Sequence, residues 1–249
     1  MREAPLMEHL EELRSRLIWA VGAWAVMTAV AFVFRVELLE WLEAPLKIFN
    51  EGREVKAELI VLGITEPFVV SLQVAAFGGL ALALPVIVYQ LWSFIAPGLY
   101  SNERRLAIPF LLGAGFSFGA GVAFCYFLML PVAVPFLLGF LGDVVTPQIS
   151  IGMYIGQILT LLGVMGLVFE MPVVSYLLAS LGMLSSRFLL QNWRIAIVIM
   201  IAVAAIITPT QDPLNLTIAS APLILLYGVS ILIVRLVERG RKVPVETAA

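Results

Sequence analysis

Long uncharged runs separated by short polar segments dominate the order of residues along the chain. They predict six membrane-spanning helices, at about residues 17–35, 69–93, 106–130, 153–178, 194–208 and 214–234. The runs do not show the ten-residue alternation of polar and apolar positions that marks a membrane β-barrel. The pattern therefore predicts an all-α polytopic membrane protein, with residues 1–249 forming one membrane domain.

The fifth and sixth predicted spans are short. The uncharged stretch Ile195–Ile207 has 13 residues and reaches about 20 Å, whereas the hydrocarbon core of a bilayer is about 30 Å thick. The sixth span begins with the polar residues Asn215 and Thr217, which shorten its apolar part. We expect this pair either to thin the bilayer locally or to be covered by neighbouring spans.

The predicted outer loop, residues 36–68, contains the pattern of an amphipathic helix. Its apolar residues recur at helical spacing and are Leu38, Leu39, Trp41, Leu42, Leu46 and Phe49. Glu37, Glu40, Glu43 and Lys47 take the other face. Two placements fit this pattern about equally well: the helix lies on the outer membrane interface, or it packs on the protein's own spans.

The distribution of charge predicts the orientation. Eleven lysines and arginines lie on the side of the termini and four on the opposite side, which places both termini in the cytoplasm. Residues 1–16 then form a cytoplasmic lead-in helix, and residues 235–249 form a cytoplasmic tail. A composition of 61% hydrophobic and 13% charged residues is too apolar for a soluble domain. We expect a multi-pass protein of the cytoplasmic (inner) membrane.

The sequence offers little material for catalysis. Its one histidine, His9, precedes the first span, and Asp143 and Asp212 both fall in predicted outer loops. Neither an intramembrane serine protease nor an aspartyl protease fits this distribution. The sequence has no phosphate-binding loop, no metal-ligand cluster at usable spacing, and a single cysteine, Cys125. We expect no enzyme activity, no metal, no cofactor and no nucleic-acid partner.

Two polar segments on the cytoplasmic side carry charges. The lead-in segment HLEELRSRL, residues 9–17, is by itself typical of an amphipathic helix with local ion pairs. The first cytoplasmic loop, QLWSFIAPGLYSNERR at residues 90–105, has a Pro97–Gly98 turn and aromatic anchors at the interface. Taken alone, Glu103 in this loop is more often a solvated residue than a site.

Four segments in this order resemble the TatC family, the multi-spanning receptor of the twin-arginine protein translocase. They are HLEELRSRL, LPVIVYQLWSFIAPGLYSNERR, FEMPVV and TPTQDP. The resemblance implies a curved, concave bundle of six helices with short fifth and sixth spans. It also implies recognition of signal peptides with two adjacent arginines. Together with single-span subunits of the TatA/TatB type, such a receptor exports folded proteins, driven by the proton-motive force.

The resemblance implies which residues bind the arginines. We expect Glu103 to be the principal partner and Glu12 the second, because two guanidinium groups need carboxylates that are partly shielded from water. Arg14, Arg104 and Arg105 are expected to orient these acids. The pattern leaves open whether Glu11 or Glu12 points inward. The expected partners are signal peptides of folded cargo, single-span subunits, membrane lipid and further copies of this chain.

Glu170 lies inside the predicted fourth span, where an ionised carboxylate is costly. Pro172 lacks an amide hydrogen and clashes with the carbonyl of Val168, so we expect a kink that exposes polar backbone. The resemblance implies that Glu170 is a docking point for a partner helix. The alternative is a protonated acid that is hydrogen-bonded to a neighbouring span.

The chain departs from the family pattern in its membrane spans. Gly228 replaces a common glutamate, Gln73 a frequent lysine, and Asn215 and Leu216 lie near a usual glutamine. Two further functions compete with the receptor. One is a proton-coupled transporter of a small solute that uses Glu170. The other is a purely structural membrane scaffold, for which substitutions at Glu12 and Glu103 leave ligand binding unchanged.

Overall fold

The computed structural model describes residues 6–53, 55–96, 107–139, 145–207 and 213–241. Helices dominate these residues. The α-helices are α1 (Leu6–Val33), α2 (Arg35–Leu42), α3 (Ala44–Asn50), α4 (Glu66–Ile95), α5 (Ala107–Phe124), α6 (Leu130–Leu138), α7 (Ile151–Phe169), α8 (Met171–Ser180), α9 (Ser186–Gln191), α10 (Trp193–Ile207) and α11 (Pro213–Arg241). A π-helical turn, Cys125–Met129, joins α5 to α6. Two short parallel strands, β1 (Glu58–Ile60) and β2 (Gln148–Ser150), pair residue for residue.

Five helical segments of the described chain are long and apolar enough to cross a membrane. They are Leu10–Val33, Glu66–Phe94, Phe110–Leu138, Ile151–Ser180 and Leu216–Arg239. This finding confirms the all-α polytopic membrane class. A shorter apolar helix, Trp193–Ile206, lies where the short fifth span is expected. Because its length falls below that of the others, the count of six spans stays a prediction.

The chain divides into two compact units. The first comprises Met1–Leu99 and Ala123–Gly163, and the second comprises Tyr100–Val122 and Val164–Ala249.

In the first unit, α1 and α4 pack with their backbones in close contact. A Cβ atom at Gly79 of α4 would lie 2.5 Å from the Cα atom of Thr28 in α1, so only glycine allows this approach. Nearby, the indole nitrogen of Trp24 donates a hydrogen bond of 2.9 Å to the carbonyl of Ala76. Small residues therefore bring α1 against α4.

The outer-loop helices α2 and α3 are anchored on the first unit. Leu42, Leu46 and Phe49 are buried, whereas Trp41 keeps 65% of its surface exposed. The hydroxyl of Tyr126 donates to the carbonyl of Trp41 at 2.7 Å, which ties α2 to the third long helical segment. In the described residues the amphipathic segment thus packs one face on the protein's own spans, and Trp41 lies outside that buried face.

In the second unit, the end of α11 is fastened to the segment before α10. Glu238 accepts hydrogen bonds from both the backbone amide and the hydroxyl of Ser186, at the start of α9. The hydroxyl of Tyr227 donates to the carbonyl of Leu189 at 2.8 Å. These contacts hold the short helix α9 along α11.

The contact at Gly79 gives a direct test of the packing. We expect Gly79→Ala to lower the stability of the purified protein by about 1–3 kcal/mol, because the added methyl group meets the backbone of Thr28. The thermal unfolding midpoint in detergent measures this change.

Gly22→Ala is the matched control, because a Cβ atom at Gly22 of α1 meets nothing within 4 Å. Alanine also favours the helix over glycine by up to about 1 kcal/mol, so no loss is expected there. Equal midpoints for the two variants would contradict the close packing of α1 on α4.

Candidate functional site

Glu12 lies half-buried on α1, beside the end of α4. Its Oε1 atom accepts a hydrogen bond from Nη2 of Arg16, one helical turn later, at 3.3 Å. The Nη1 atom of the same guanidinium donates to Oε1 of Gln90 on α4 at 3.4 Å. The three side chains form one polar chain across the α1–α4 junction, which we call the Glu12 cluster.

Glu11 points elsewhere. It is exposed and, with Arg14, lines a shallow cavity of about 310 Å³ whose other lining residues are Ser15, Ile18 and Trp19. Of the two adjacent acids, Glu12 therefore lies towards α4 and Glu11 towards this cavity. In the described residues, Arg16 rather than Arg14 is the ion-pair partner of Glu12. The orienting role expected of Arg14 stays a prediction.

The other half of the expected arginine site lies outside the described residues. Glu103, Arg104 and Arg105 fall between the end of α4 at Ile95 and the start of α5 at Ala107. Their roles stay predictions. Gln90 and the buried Trp92 lie in the last turns of α4, shortly before that loop in the sequence.

Glu170 lies between α7, which ends at Phe169, and α8, which begins at Met171. Its Oε1 atom is buried and has no hydrogen-bond partner among the described residues. Pro172 is buried in the first turn of α8, where it has no amide hydrogen to continue the hydrogen-bond ladder of α7. A buried acceptor without a donor is costly, so the Oε1 atom of Glu170 is an unfavourable group in the isolated chain.

Neighbouring polar backbone at this break is satisfied. The hydroxyl of Ser117 on α5 donates to the carbonyl of Phe169, and the amide of Val174 donates to the carbonyl of Glu170 at 2.9 Å. A Cβ atom at Gly121 of α5 would lie 2.5 Å from the carbonyl oxygen of Met165, so α5 approaches α7 closely. The unpartnered atom at Glu170 is thus set in an otherwise well-bonded surrounding.

Sequence reasoning missed Glu66, which starts α4. Its Oε2 atom accepts from the amides of Leu62 and Gly63 at 2.6 and 3.2 Å. Its Oε1 atom accepts from the amide of Gly152 at 2.9 Å and from the hydroxyl of Ser150. An acid in the first turn of a helix is a signal that the sequence does carry, but the partners at Ser150 and Gly152 are distant in the chain.

The residues that depart from the family pattern are mostly accessible. Gln73 is exposed and lines a cavity of about 360 Å³ together with Trp24 and Thr160. Gly228 is exposed on α11, and a Cβ atom there meets nothing within 4 Å.

Across the described residues, no group of three or more histidines, cysteines, aspartates or glutamates is placed to hold a metal ion.

The long apolar helices, with a few polar groups set among them, define a multi-pass membrane protein. A family model described as Sec-independent protein translocase protein (TatC) matches residues 8–222. The chain belongs to this family, which confirms the resemblance found in the sequence.

Relatives and solved structures agree with this assignment. The Sec-independent protein translocase protein TatC of Deinococcus radiodurans is 43% identical over 94% of this chain and 87% of its own length. That of Aquifex aeolicus is 41% identical over 96% of this chain and 98% of its own. A crystal structure of the twin arginine translocase receptor TatC is similar with a TM-score of 0.81 and 40% identity, covering 93% of this chain and 100% of the solved one.

The unpartnered Oε1 atom of Glu170 gives a stability test. We expect Glu170→Gln to raise the stability of the isolated protein by about 1 kcal/mol, because a neutral amide is less costly to bury than a carboxylate with an unpartnered oxygen. Thermal unfolding in detergent measures the change.

Glu37→Gln makes the same chemical change at an exposed position of α2 and should alter stability by less than about 0.5 kcal/mol. A clear loss of stability in Glu170→Gln alone would mean that the carboxylate holds the isolated fold together.

Proposed function

We propose that this chain is the signal-peptide receptor and core subunit of a twin-arginine translocase. It binds paired arginines of signal peptides and, with single-span subunits, exports folded proteins using the proton-motive force. Membership of the TatC family supports this proposal, as does the similarity to a solved protein described as a twin arginine translocase receptor. The observation that carries it is the half-buried carboxylate of Glu12, held against α4 just before the loop that contains Glu103.

The chemistry of the Glu12 cluster fits an arginine ligand. The carboxylate of Glu12 already accepts an N–H group from one guanidinium, that of Arg16, so its position suits a guanidinium ligand. A guanidinium offers a planar fork of donors, whereas a lysine ammonium is a compact and strongly hydrated point charge. Glu103 supplies the second carboxylate in this proposal, and Arg104 and Arg105 orient it.

The receptor acts by binding rather than by catalysis. It lies in the cytoplasmic membrane with both termini in the cytoplasm, the side from which newly made cargo arrives. The exposed apolar side chains of its spans, such as Leu112 and Phe116, meet lipid. Several copies assemble into one receptor complex. Family membership argues against the small-solute transporter, and the binding experiment below separates the receptor from a purely structural scaffold.

Glu170 is the docking point for a partner helix in this proposal. Its buried Oε1 atom lacks a donor within the described chain, and a polar side chain on a single-span subunit supplies one. Hydrogen bonds between membrane helices of this kind stabilise association by about 0.6–2 kcal/mol. The interruption between α7 and α8, with Pro172 after it, keeps this stretch from closing into a regular apolar helix.

Binding of a labelled peptide with an arginine pair and an apolar segment tests the receptor function. We expect the purified protein to prefer this peptide over its lysine-lysine counterpart. Glu103→Ala and Glu12→Ala should each weaken binding by about 2–5 kcal/mol where the carboxylate is shielded from water. Fluorescence anisotropy in detergent measures the dissociation constants.

Glu11→Ala is the matched control, because it removes the same charge one residue away on the face that lines the other cavity. It should change binding far less than Glu12→Ala. Binding that is indifferent to arginine and to both glutamates would overturn the receptor function.

Co-purification of a single-span subunit tests the role of Glu170. We expect Glu170→Leu to weaken association severalfold, because leucine accepts no hydrogen bond from the partner helix. Gln157→Leu removes an exposed polar group from α7, in the same predicted span, and should leave association intact. Full association of Glu170→Leu would show that the partner docks elsewhere.

A further inference from the structure

The carboxylate of Glu12 is already engaged by a side chain of its own helix, Arg16. We propose that Arg16 is an internal stand-in for the arginine of the signal peptide, pairing with Glu12 in the free receptor and moving fully onto Gln90 when the peptide binds. This inference rests on the proposed function, since it concerns how the same site exchanges one guanidinium for another.

The geometry places Arg16 between two acceptors. Its Nη2 atom is 3.3 Å from Oε1 of Glu12, and its Nη1 atom is 3.4 Å from Oε1 of Gln90. Both distances lie beyond the usual range of 2.7–3.2 Å for such hydrogen bonds. The guanidinium is therefore shared by the two acceptors and held closely by neither.

The ion pair is open to exchange. About a third of each side chain is exposed, 35% for Arg16 and 30% for Glu12, so water and a ligand reach both. Ion pairs of this exposure, one helical turn apart, contribute little to stability. A second guanidinium that meets the carboxylate with two parallel hydrogen bonds binds it better than Arg16 does at one long distance.

Gln90 offers the displaced Arg16 side chain a second hydrogen-bond acceptor. Its amide oxygen is neutral and lies on the other helix of the junction, so Arg16 keeps a hydrogen bond after leaving Glu12. Without this acceptor, the displaced guanidinium loses both partners at once. The release of Glu12 is therefore least costly when Gln90 is present.

A built-in competitor lowers affinity for every ligand that uses Glu12. Since Arg16 must be displaced by any such ligand, its removal should tighten binding of arginine and lysine peptides by a similar factor. The preference for arginine over lysine comes from the planar guanidinium group of the peptide and should remain. Arg16 thus acts as a positioning residue that sets affinity and not identity.

A double-mutant cycle tests the inference on the full chain in detergent. Dissociation constants for the labelled arginine-pair peptide are measured with the unaltered protein, Arg16→Gln, Glu12→Gln and the double variant. We expect Arg16→Gln to bind the peptide about two- to fivefold more tightly than the unaltered protein. In the Glu12→Gln background the same change should have a clearly smaller effect, which removes general charge repulsion as the cause.

Two further variants sharpen the test. Arg16→Lys keeps the charge and the pairing with Glu12, so affinity should return to within about twofold of the unaltered protein. Gln90→Leu removes the second acceptor and should weaken peptide binding by about twofold or more, because Arg16 then leaves Glu12 with no partner. Thermal unfolding of each variant checks that it is folded. If Arg16→Gln does not fold, Gln90→Leu still tests the inference.

The outcomes separate the inference from the function on which it rests. If the unaltered protein prefers arginine and Glu12→Gln weakens binding, but Arg16→Gln does not tighten it, the receptor function stands and the stand-in is refuted. Equal gains from Arg16→Gln with and without Glu12 would also refute it. If the unaltered protein ignores arginine and Glu12, the proposed function itself fails. Unchanged affinity of Gln90→Leu would overturn the exchange onto Gln90.

Discussion

A carboxylate beside or within a hydrocarbon layer must find donors, and much of this chain's polar organisation follows from that constraint. Glu66 accepts four hydrogen bonds, three of them from backbone amides. Glu238 accepts two from Ser186. Glu12 has one shared guanidinium, and the Oε1 atom of Glu170 has no partner in the described chain. From Glu66 to Glu170, these four glutamates thus receive fewer and fewer hydrogen bonds from the chain itself.

This series orders the glutamates by the role each can take. Glu66 and Glu238 are occupied by hydrogen bonds from the chain itself, which join the N-terminal ends of α4 and α7 in one case and α9 and α11 in the other. Their substitution affects the fold first. Glu12 and Glu170 keep acceptor capacity, which donors of the proposed binding partners fill. The proposed receptor of cationic peptides and polar helices needs acids of this second kind.

The sequence predicts some of this arrangement and not the rest. Uncharged runs are long enough to reveal the spans, and Glu170 is visible as the one acid within the predicted spans. The pairing of Glu12 with Arg16 follows from their spacing of one helical turn, whereas the contact with Gln90 joins residues 74 positions apart. Glu66 accepts a hydrogen bond from the hydroxyl of Ser150, and Gly79 lies close to Thr28. Both contacts depend on how the helices pack together, which the spacing of apolar residues does not predict. Glu103 was singled out through family resemblance, because a loop glutamate by itself carries no such information.

The continuity of α1 has a mechanical consequence. The helix runs unbroken for 28 residues, from Leu6 to Val33, so the predicted lead-in and the first span are one continuous helix. Glu12 and Thr28 lie 16 residues apart on it, which is about 24 Å along the axis. Thr28 lies against Gly79 of α4, so the membrane part of this helix is fixed on its neighbour. In the proposed receptor, a tilt that an arriving peptide imposes at Glu12 is carried along the continuous helix to this contact.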